Sequence, residues 1–166
     1  SVLFRGQAVE ARNAVLLAVA EGIRTQSASL LQANRKDLAA MHKSNPLYDR
    51  LMLTDERLCV ISHDMENVTR LPSPLGRVSH ERTLDNGLRL HRVSVPFGVI
   101  GVVYEARPNV TFDVFALCFK SGNVCVLKGG RDAEASNQVA VDLIHGVLRR
   151  MGVDEQAVVL LPATHE

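Results

Sequence analysis

Apolar residues recur at helical spacing near the start of the chain, and this pattern predicts two helices between Gln7 and Met41. Gly22 and the run Thr25-Gln26-Ser27 mark the predicted join between them. The apolar positions are Ala8, Val9, Val15, Leu16 and Val19 in the first helix, and Leu30, Leu31, Leu38 and Met41 in the second.

A third helix has clearer end signals. Thr54 is a predicted N-cap, and the acidic residues Asp55 and Glu56 suit the positive end of a helix dipole. The sequence Pro72-Ser73-Pro74 ends the pattern. One apolar stripe is expected along this helix, formed by Leu58, Ile61, Met65, Val68 and Leu71.

Alternating residues between Arg77 and Val95 predict a β-hairpin, because they flank the strong turn signal Asp85-Asn86-Gly87. The hairpin strands carry several charged residues and histidines, so at least one face should contact water. A two-stranded ribbon of this polarity is marginal alone, and we expect it to lean on another element or another subunit.

After Pro96, buried strands alternate with helices, which indicates parallel pairing with both sheet faces covered. Gly152 follows the basic residues Arg149 and Arg150 and is a suitable stop for the last helix. The predicted fold class is α/β, with half of a doubly wound parallel sheet, a Rossmann-like arrangement. The predicted elements are β 98–104, α 110–121, β 123–128, α 132–151 and β 157–161.

Composition narrows the class of protein. The 166 residues carry a net charge of +1 without a Lys/Arg-rich run, so nucleic acid is not an expected partner. No apolar stretch is long enough to span a membrane, and Ser1 to Gln7 lacks the order of a signal peptide, so a soluble, cytoplasmic protein is expected. Neither a zinc site nor a disulfide framework is indicated by the six histidines and three cysteines. The cysteines, which we expect in the core, are Cys59, Cys118 and Cys125.

Ligands of open parallel sheets bind beyond the carboxyl ends of the strands. One such end is followed by Lys128-Gly129-Gly130-Arg131-Asp132, where two glycines admit a ligand close to the backbone and Lys128 adds a cation. The helix from about Asp132 is expected to point its positive end outward. This chemistry suits a phosphate or a ribose, although a strand-to-helix corner with no ligand fits the same spacing.

The other strand end is followed by Glu105-Ala106-Arg107-Pro108-Asn109. Pro108 favours an extended Arg107, and the Asn109 amide is able to donate to a developing oxyanion. The alternative is a plain capped corner, in which Asn109 or Thr111 caps the helix and Glu105 pairs with Arg107. The residues by themselves favour the capped corner slightly.

Four stretches resemble the γ-glutamyl phosphate reductase family of the aldehyde dehydrogenase superfamily. They are "RLMLTDER" (50–57), "LPSPLG" (71–76), "DNGLRLHRVSVPFGVIGVVYEARPNVTFDVFALCFKSGN" (85–123) and "VLKGGRDAEASN" (126–137). The resemblance implies NADPH-dependent reduction of γ-glutamyl phosphate to glutamate semialdehyde, the second step of proline biosynthesis. In that family a downstream cysteine thiolate displaces phosphate and the nicotinamide then supplies hydride. None of the three cysteines stands in that context, so this chain, without the catalytic domain, is expected to be inactive alone.

The same resemblance assigns site residues. Asn109 corresponds to the oxyanion donor, and Arg107 is the candidate for an anionic group of substrate or cofactor. Lys128 corresponds to the lysine that contacts the adenine ribose, and Arg131 stands where many NAD-using relatives have a glutamate, which favours NADP. The remaining cofactor-binding candidates are Gly129, Gly130 and Tyr104.

The resemblance also divides the chain into an N-terminal helical segment of the cofactor domain (1–76), an oligomerisation ribbon (77–95) and a βαβαβ part of the NADP-binding domain (96–166). It implies a small-molecule substrate, a homo-oligomer formed through the hairpin and a functional association with glutamate 5-kinase. The alternatives are a bifunctional kinase–reductase, another aldehyde dehydrogenase, or a non-catalytic nucleotide-binding or assembly module.

Overall fold

The computed structural model describes residues 9–163, which fold into six α-helices and five strands. Residues such as Gln7, Ala8 and His165, which entered the sequence expectations, lie outside this range. In chain order the elements are α1 Val9–Thr25, α2 Ser27–Ala39, α3 Tyr48–Leu51, α4 Asp55–Arg70, β1 Val78–Thr83, β2 Arg89–Val93, β3 Val99–Tyr104, α5 Pro108–Lys120, β4 Val124–Gly129, α6 Glu134–Arg150 and β5 Val158–Leu160.

The N-terminal helices begin and end close to the predicted positions. Thr54 caps α4 by accepting a hydrogen bond from the Arg57 amide, as predicted. Gly22 was wrongly predicted to mark the join between α1 and α2, because it lies inside α1. A Cβ there would sit 3.1 Å from Leu143 Cδ2 on α6, so the glycine allows close helix packing. The prediction that Leu71 belongs to the apolar stripe of α4 is also wrong, because Leu71 is the C-cap residue and its side chain is exposed.

One core joins the N-terminal helices to the later βαβαβ unit. Its largest buried side chains are aromatic residues of α5, which pack with apolar residues of α1, α4, α6 and β4. They are Phe112, Phe115 and Phe119, and the rings of the last two stack. Cys118 and Cys125 are buried in this core as expected, whereas Cys59 is exposed on α4. The segment before the hairpin is therefore part of the same folded unit as the sheet.

Strands β3, β4 and β5 form a parallel sheet in that order, which confirms the predicted α/β architecture. The expectation that both faces of β3 are covered is wrong within residues 9–163. Alternate residues of β3 are exposed: 63% of the surface of Val99 and 81% of that of Val103 are accessible to solvent. Ile100, Val102 and Tyr104 face the core instead. Helices α5 and α6 contact each other and α1, so these helices form one layer on one side of the sheet.

The hairpin of β1 and β2 forms as predicted, with antiparallel strands and a turn in which Gly87 adopts a φ of 83°. Every residue of both strands is exposed, so both faces of the ribbon contact water. Among the described helices, none is long and apolar enough to cross a membrane.

Candidate functional site

Two strand-to-helix corners were predicted to bind ligands: the first corner at residues 105–109 and the second corner at residues 128–132. The two corners lie side by side. Strands β3 and β4 are parallel and paired in register, so Tyr104 is opposite Gly129 and Val103 is opposite Lys128. The segment after Tyr104 and the segment after Gly129 therefore leave the sheet at the same edge. All the residues that were predicted from the sequence to act in binding or catalysis lie at this edge.

The first corner depends on an unusual backbone conformation at Ala106. Its φ is 41°, the only positive value at a non-glycine residue within 9–163. This left-handed conformation costs about 1–2 kcal/mol for an L-residue. The Ala106 side chain is almost fully buried against Leu51 and Ala133, which stabilises the turn. The turn leaves the flanking residues Glu105 and Arg107 exposed.

Arg107 is the N-cap residue of α5, and its φ of −139° and ψ of 81° keep it out of the helical region, although it is not fully extended as predicted for a residue before proline. Pro108 occupies the first helical position, so the helix begins two residues earlier than predicted. The capped-corner alternative is not observed among the described residues. Asn109 and Thr111 lie inside α5 and bond to Asp113 and Asn137 instead of capping the helix, and Glu105 forms no ion pair with Arg107. Arg107 instead lines a cavity of about 390 Å³.

Asn109 lines the same cavity from the first turn of α5. Its Nδ2 donates to Asp113 Oδ2 at 3.2 Å, one helical turn further along. Burial raises the pKa of Asp113, the hydrogen bond from Asn109 opposes this rise, and the negative charge of Asp64 adds to it. A primary amide has two N–H donors, so Asn109 retains one for a ligand.

Helices α3 and α4 and the segment between them supply most of the other lining residues, which were not predicted from the sequence to be part of a site. Arg57 is fixed there: its guanidinium donates to Asp49 Oδ1 at 2.8 Å and to the Met52 carbonyl at 2.7 Å. The available signal was the dense run of charged residues from Asp49 to Arg57, within a segment that was interpreted only as a helix start and as part of the family resemblance. The charged lining residues of the whole cavity are Asp49, Arg50, Arg57, Asp64, Arg107 and Asp113.

The second corner lines a separate cavity of about 260 Å³. All five residues nominated for cofactor binding border it, namely Tyr104, Lys128, Gly129, Gly130 and Arg131. The Lys128 ammonium donates to the Pro162 carbonyl, which ties β4 to the segment after β5. Arg131 is exposed and begins a short 3₁₀ turn before α6.

The two glycines of this corner have different physical roles. A Cβ on Gly129 would lie 2.2 Å from Asn137 Nδ2, so glycine is required there by packing against α6. At Gly130 a Cβ would lie 3.8 Å from Glu105 Cα, an ordinary contact distance. Both glycines were predicted to let a ligand approach the backbone closely. At Gly129 the group that approaches is the Asn137 side chain of the protein.

Two backbone amides in the first turn of α6 already have an internal partner, although Glu134 of the same turn lines a cavity of about 200 Å³. The carboxylate of Asp37, on α2, accepts from the Ala135 amide at 3.1 Å and from the Ser136 amide at 2.7 Å. It also accepts from Ser136 Oγ at 2.5 Å, and Asp37 is 8% exposed. An internal carboxylate therefore occupies the place that a bound phosphate takes at other helix N-termini.

Tyr104 has a structural contact as well as a position beside the cavity. Its hydroxyl lies 2.6 Å from Thr111 Oγ1, which in turn lies 3.1 Å from Asn137 Oδ1. Burial raises the pKa of the Tyr104 phenol. This chain of hydrogen bonds connects β3, α5 and α6.

Comparison with known proteins shows which sequences and folds this chain resembles. No family model matches the chain. The γ-glutamyl phosphate reductases of Bacteroides fragilis and Chlorobaculum parvum are 57% and 56% identical over 154 and 157 residues, which is 93% and 95% of this chain. The chain spans about 37% of the length of these curated relatives.

Solved structures agree with this assignment. The γ-glutamyl phosphate reductase of Thermotoga maritima superposes with a TM-score of 0.91 at 34% identity, covering 99% of this chain and 40% of that one. A probable aldehyde dehydrogenase from Listeria monocytogenes shares the fold, with a TM-score of 0.72 at 13% identity over 96% of this chain and 33% of that one. By sequence and by an aldehyde dehydrogenase-like fold, the chain belongs to the γ-glutamyl phosphate reductase family, of whose matched members it spans little more than a third.

Proposed function

We propose that this chain forms the cofactor-binding side of an enzyme that reduces L-γ-glutamyl 5-phosphate to L-glutamate 5-semialdehyde, with NADPH as reductant and release of phosphate. This reaction is the second step of proline biosynthesis and takes place in the cytoplasm. The observation that carries the proposal is the in-register pairing of β3 and β4, which brings Asn109 and Lys128 to the same sheet edge beside adjacent cavities. Substrate and cofactor would meet across this edge.

The second corner fits the ribose end of a dinucleotide. Lys128 is held beside the cavity by its contact with Pro162, where its ammonium suits ribose hydroxyls. Because Asp37 fills the start of α6, the corner is better suited to a ribose than to the pyrophosphate. The exposed Arg131 guanidinium would pair with a 2′-phosphate, which favours NADPH over NADH. When bound, the nicotinamide cofactor supplies the hydride.

The first corner fits the acyl phosphate. The second N–H of the Asn109 amide would donate to the acyl oxygen as negative charge develops on it. Arg107 carries a guanidinium without an ion-pair partner in the described chain and would hold an anionic group of the substrate. The nucleophile comes from elsewhere: Cys118 and Cys125 are buried in the core, and Cys59 does not line the cavity. The 166-residue chain is therefore expected to have no activity alone.

The exposed hairpin supports an assembly role. Residues 77–95 would form a ribbon that pairs with another subunit, because both of its faces carry exposed side chains, including Val78, Leu90 and Val93. Residues 1–76 and 96–166 would belong to one cofactor domain, as their shared core suggests. A functional association with glutamate 5-kinase would follow from the instability of the acyl phosphate, which favours direct handover from the kinase.

The reverse reaction provides a direct test. A full-length reductase carrying these residues is mixed with glutamate semialdehyde, NADP⁺ and inorganic phosphate, and NADPH formation is followed by absorbance. We expect formation that depends on phosphate and that the isolated 166-residue chain does not support. Turnover that is independent of phosphate, or activity in the isolated chain, would contradict the proposal.

A further inference from the structure

The 390 Å³ cavity carries charges of both signs that are not paired with each other. Within residues 9–163, Asp113 and Asp64 form no ion pair, and neither do Arg50 and Arg107, although all four line this cavity. Arg57 differs, because Asp49 already neutralises it. A cavity with separate unpaired cations and anions is complementary to a zwitterion, such as the head group of an α-amino acid.

Asp113 is the carboxylate best placed to receive an ammonium group. It is half-buried, and its recorded hydrogen bond comes from the neutral amide of Asn109. A carboxylate accepts about four hydrogen bonds, so most of its capacity is unused. Burial and the nearby Asp64 charge raise its pKa, and a bound cation would lower it again by stabilising the ionised form.

The proposed substrate can reach both groups. Asn109 and Asp113 are one turn apart on α5 with Asn109 Nδ2 3.2 Å from Asp113 Oδ2, so two ligand atoms bonded to the outer sides of these groups can lie further apart than the groups themselves. In a γ-glutamyl group the acyl carbon and the α-nitrogen are separated by four bonds, or about 5 Å when extended. An acyl oxygen at Asn109 would thus leave the α-ammonium within reach of Asp113, with apolar lining residues such as Met52 and Ile61 beside the methylene groups.

We propose that Asp113 is the specificity-determining residue that binds the α-ammonium group of the substrate, while Arg50 or Arg107 binds its α-carboxylate. This inference rests on the proposed function, because it concerns the same cavity and the same reaction. It adds a specific requirement that the reaction by itself does not impose: the enzyme must discriminate between aldehydes with and without an α-amino group.

The test compares two aldehydes in a full-length reductase carrying these residues. Glutamate semialdehyde and 5-oxopentanoate differ only in the amino group, and kcat/KM for each is measured in the phosphate-dependent reverse reaction. We expect Asp113→Asn to reduce the preference for the amino substrate by about 10- to 100-fold, mainly through KM. Asn109→Ala should lower kcat for both aldehydes alike, and the exposed-surface control Asp142→Asn should change neither.

The outcomes separate the two proposals. Equal losses with both aldehydes in Asp113→Asn would show that Asp113 only supports the fold or orients Asn109, and would overturn the inference while leaving the reaction intact. Retained discrimination in Asp113→Asn would overturn it as well. Failure of the wild-type enzyme to oxidise either aldehyde would overturn the proposed function, and this inference with it.

Discussion

The Asp37 carboxylate on α2 accepts hydrogen bonds from both the backbone amide and the hydroxyl of Ser136 on α6, at 2.7 and 2.5 Å. The two residues are 99 positions apart, and the contact satisfies amides that a helix start otherwise leaves without partners. Asn34 joins the same cluster by donating to Ser136 Oγ at 3.1 Å. The N-terminal helices are thereby anchored to the sheet unit beside the second corner.

Removing this cap should destabilise the chain. We expect Asp37→Ala to lower the free energy of unfolding by about 2–3 kcal/mol, because a charge-assisted cap is lost and the buried amides of α6 remain unpaired. Urea denaturation of the 166-residue chain measures the change. Asp142→Ala, at an exposed position on the same helix, should cost less than about 0.5 kcal/mol, and equal effects of the two substitutions would argue against the cap.

Two glycine substitutions should have opposite effects. Gly129→Ala should lower stability, because its Cβ would lie 2.2 Å from Asn137 Nδ2. Gly146→Ala should raise it by about 0.5–1 kcal/mol, since Gly146 is inside α6 and a Cβ there would meet nothing within 4 Å. Thermal unfolding of both variants tests this difference in sign. Stabilisation by Gly129→Ala would show that the Asn137 side chain can move away from an added Cβ at little cost.

Asn109→Ala should reduce turnover in a full-length reductase carrying these residues. Loss of one oxyanion donor typically lowers kcat by about 10²–10³-fold. The measurement is initial rate at saturating substrate, and Asn67→Ala, on α4 and away from the cavity lining, serves as the control. A near-normal rate in Asn109→Ala would remove this residue from the proposed chemistry.

Arg131→Glu should weaken the preference for NADPH over NADH by about 10- to 100-fold, because the substitution places a negative charge where the 2′-phosphate is expected. The ratio of kcat/KM for the two cofactors is compared in the full-length reductase. Arg150→Glu makes the same charge change at the end of α6, beyond the corner residues. If Arg131→Glu and Arg150→Glu show the same preference for NADPH over NADH, Arg131 does not select the cofactor.

The effect of Asp113→Asn on the free energy of unfolding should depend on pH. Because the folded pKa of Asp113 is raised by burial and by Asp64, ionisation of this carboxyl opposes folding. The penalty is absent below the unfolded pKa and is fully present above the folded one. Asp113→Asn should therefore gain stability relative to the wild-type chain as pH rises from about 3 to 7. Urea unfolding at several pH values tests the sign, and a gain at acidic pH alone would contradict it.

The candidate site was only partly predictable from the sequence. The βαβαβ pattern located both corners, since the carboxyl ends of parallel strands meet at one edge whatever the rest of the fold does. The contribution of α3 and α4 was missed, because charged residues such as Arg50 and Asp64 are equally typical of a solvated helix surface, and only the packing of distant segments brings them to one cavity with Arg107. Asn109 was predicted near a helix start, but its contact with Asp113 required the exact beginning of α5 at Pro108.

Features that depend on neighbouring residues along the chain could be predicted from the sequence. The Thr54 cap of α4, the Gly87 turn of the hairpin and the stop at Gly152 all follow from local backbone and side-chain chemistry. The tertiary structure alone decided the capping of α6 by Asp37, the packing of Asn137 on Gly129 and the exposure of one face of β3. These depend on which distant segments meet and on what covers a surface, and periodicity along the chain carries no information about either.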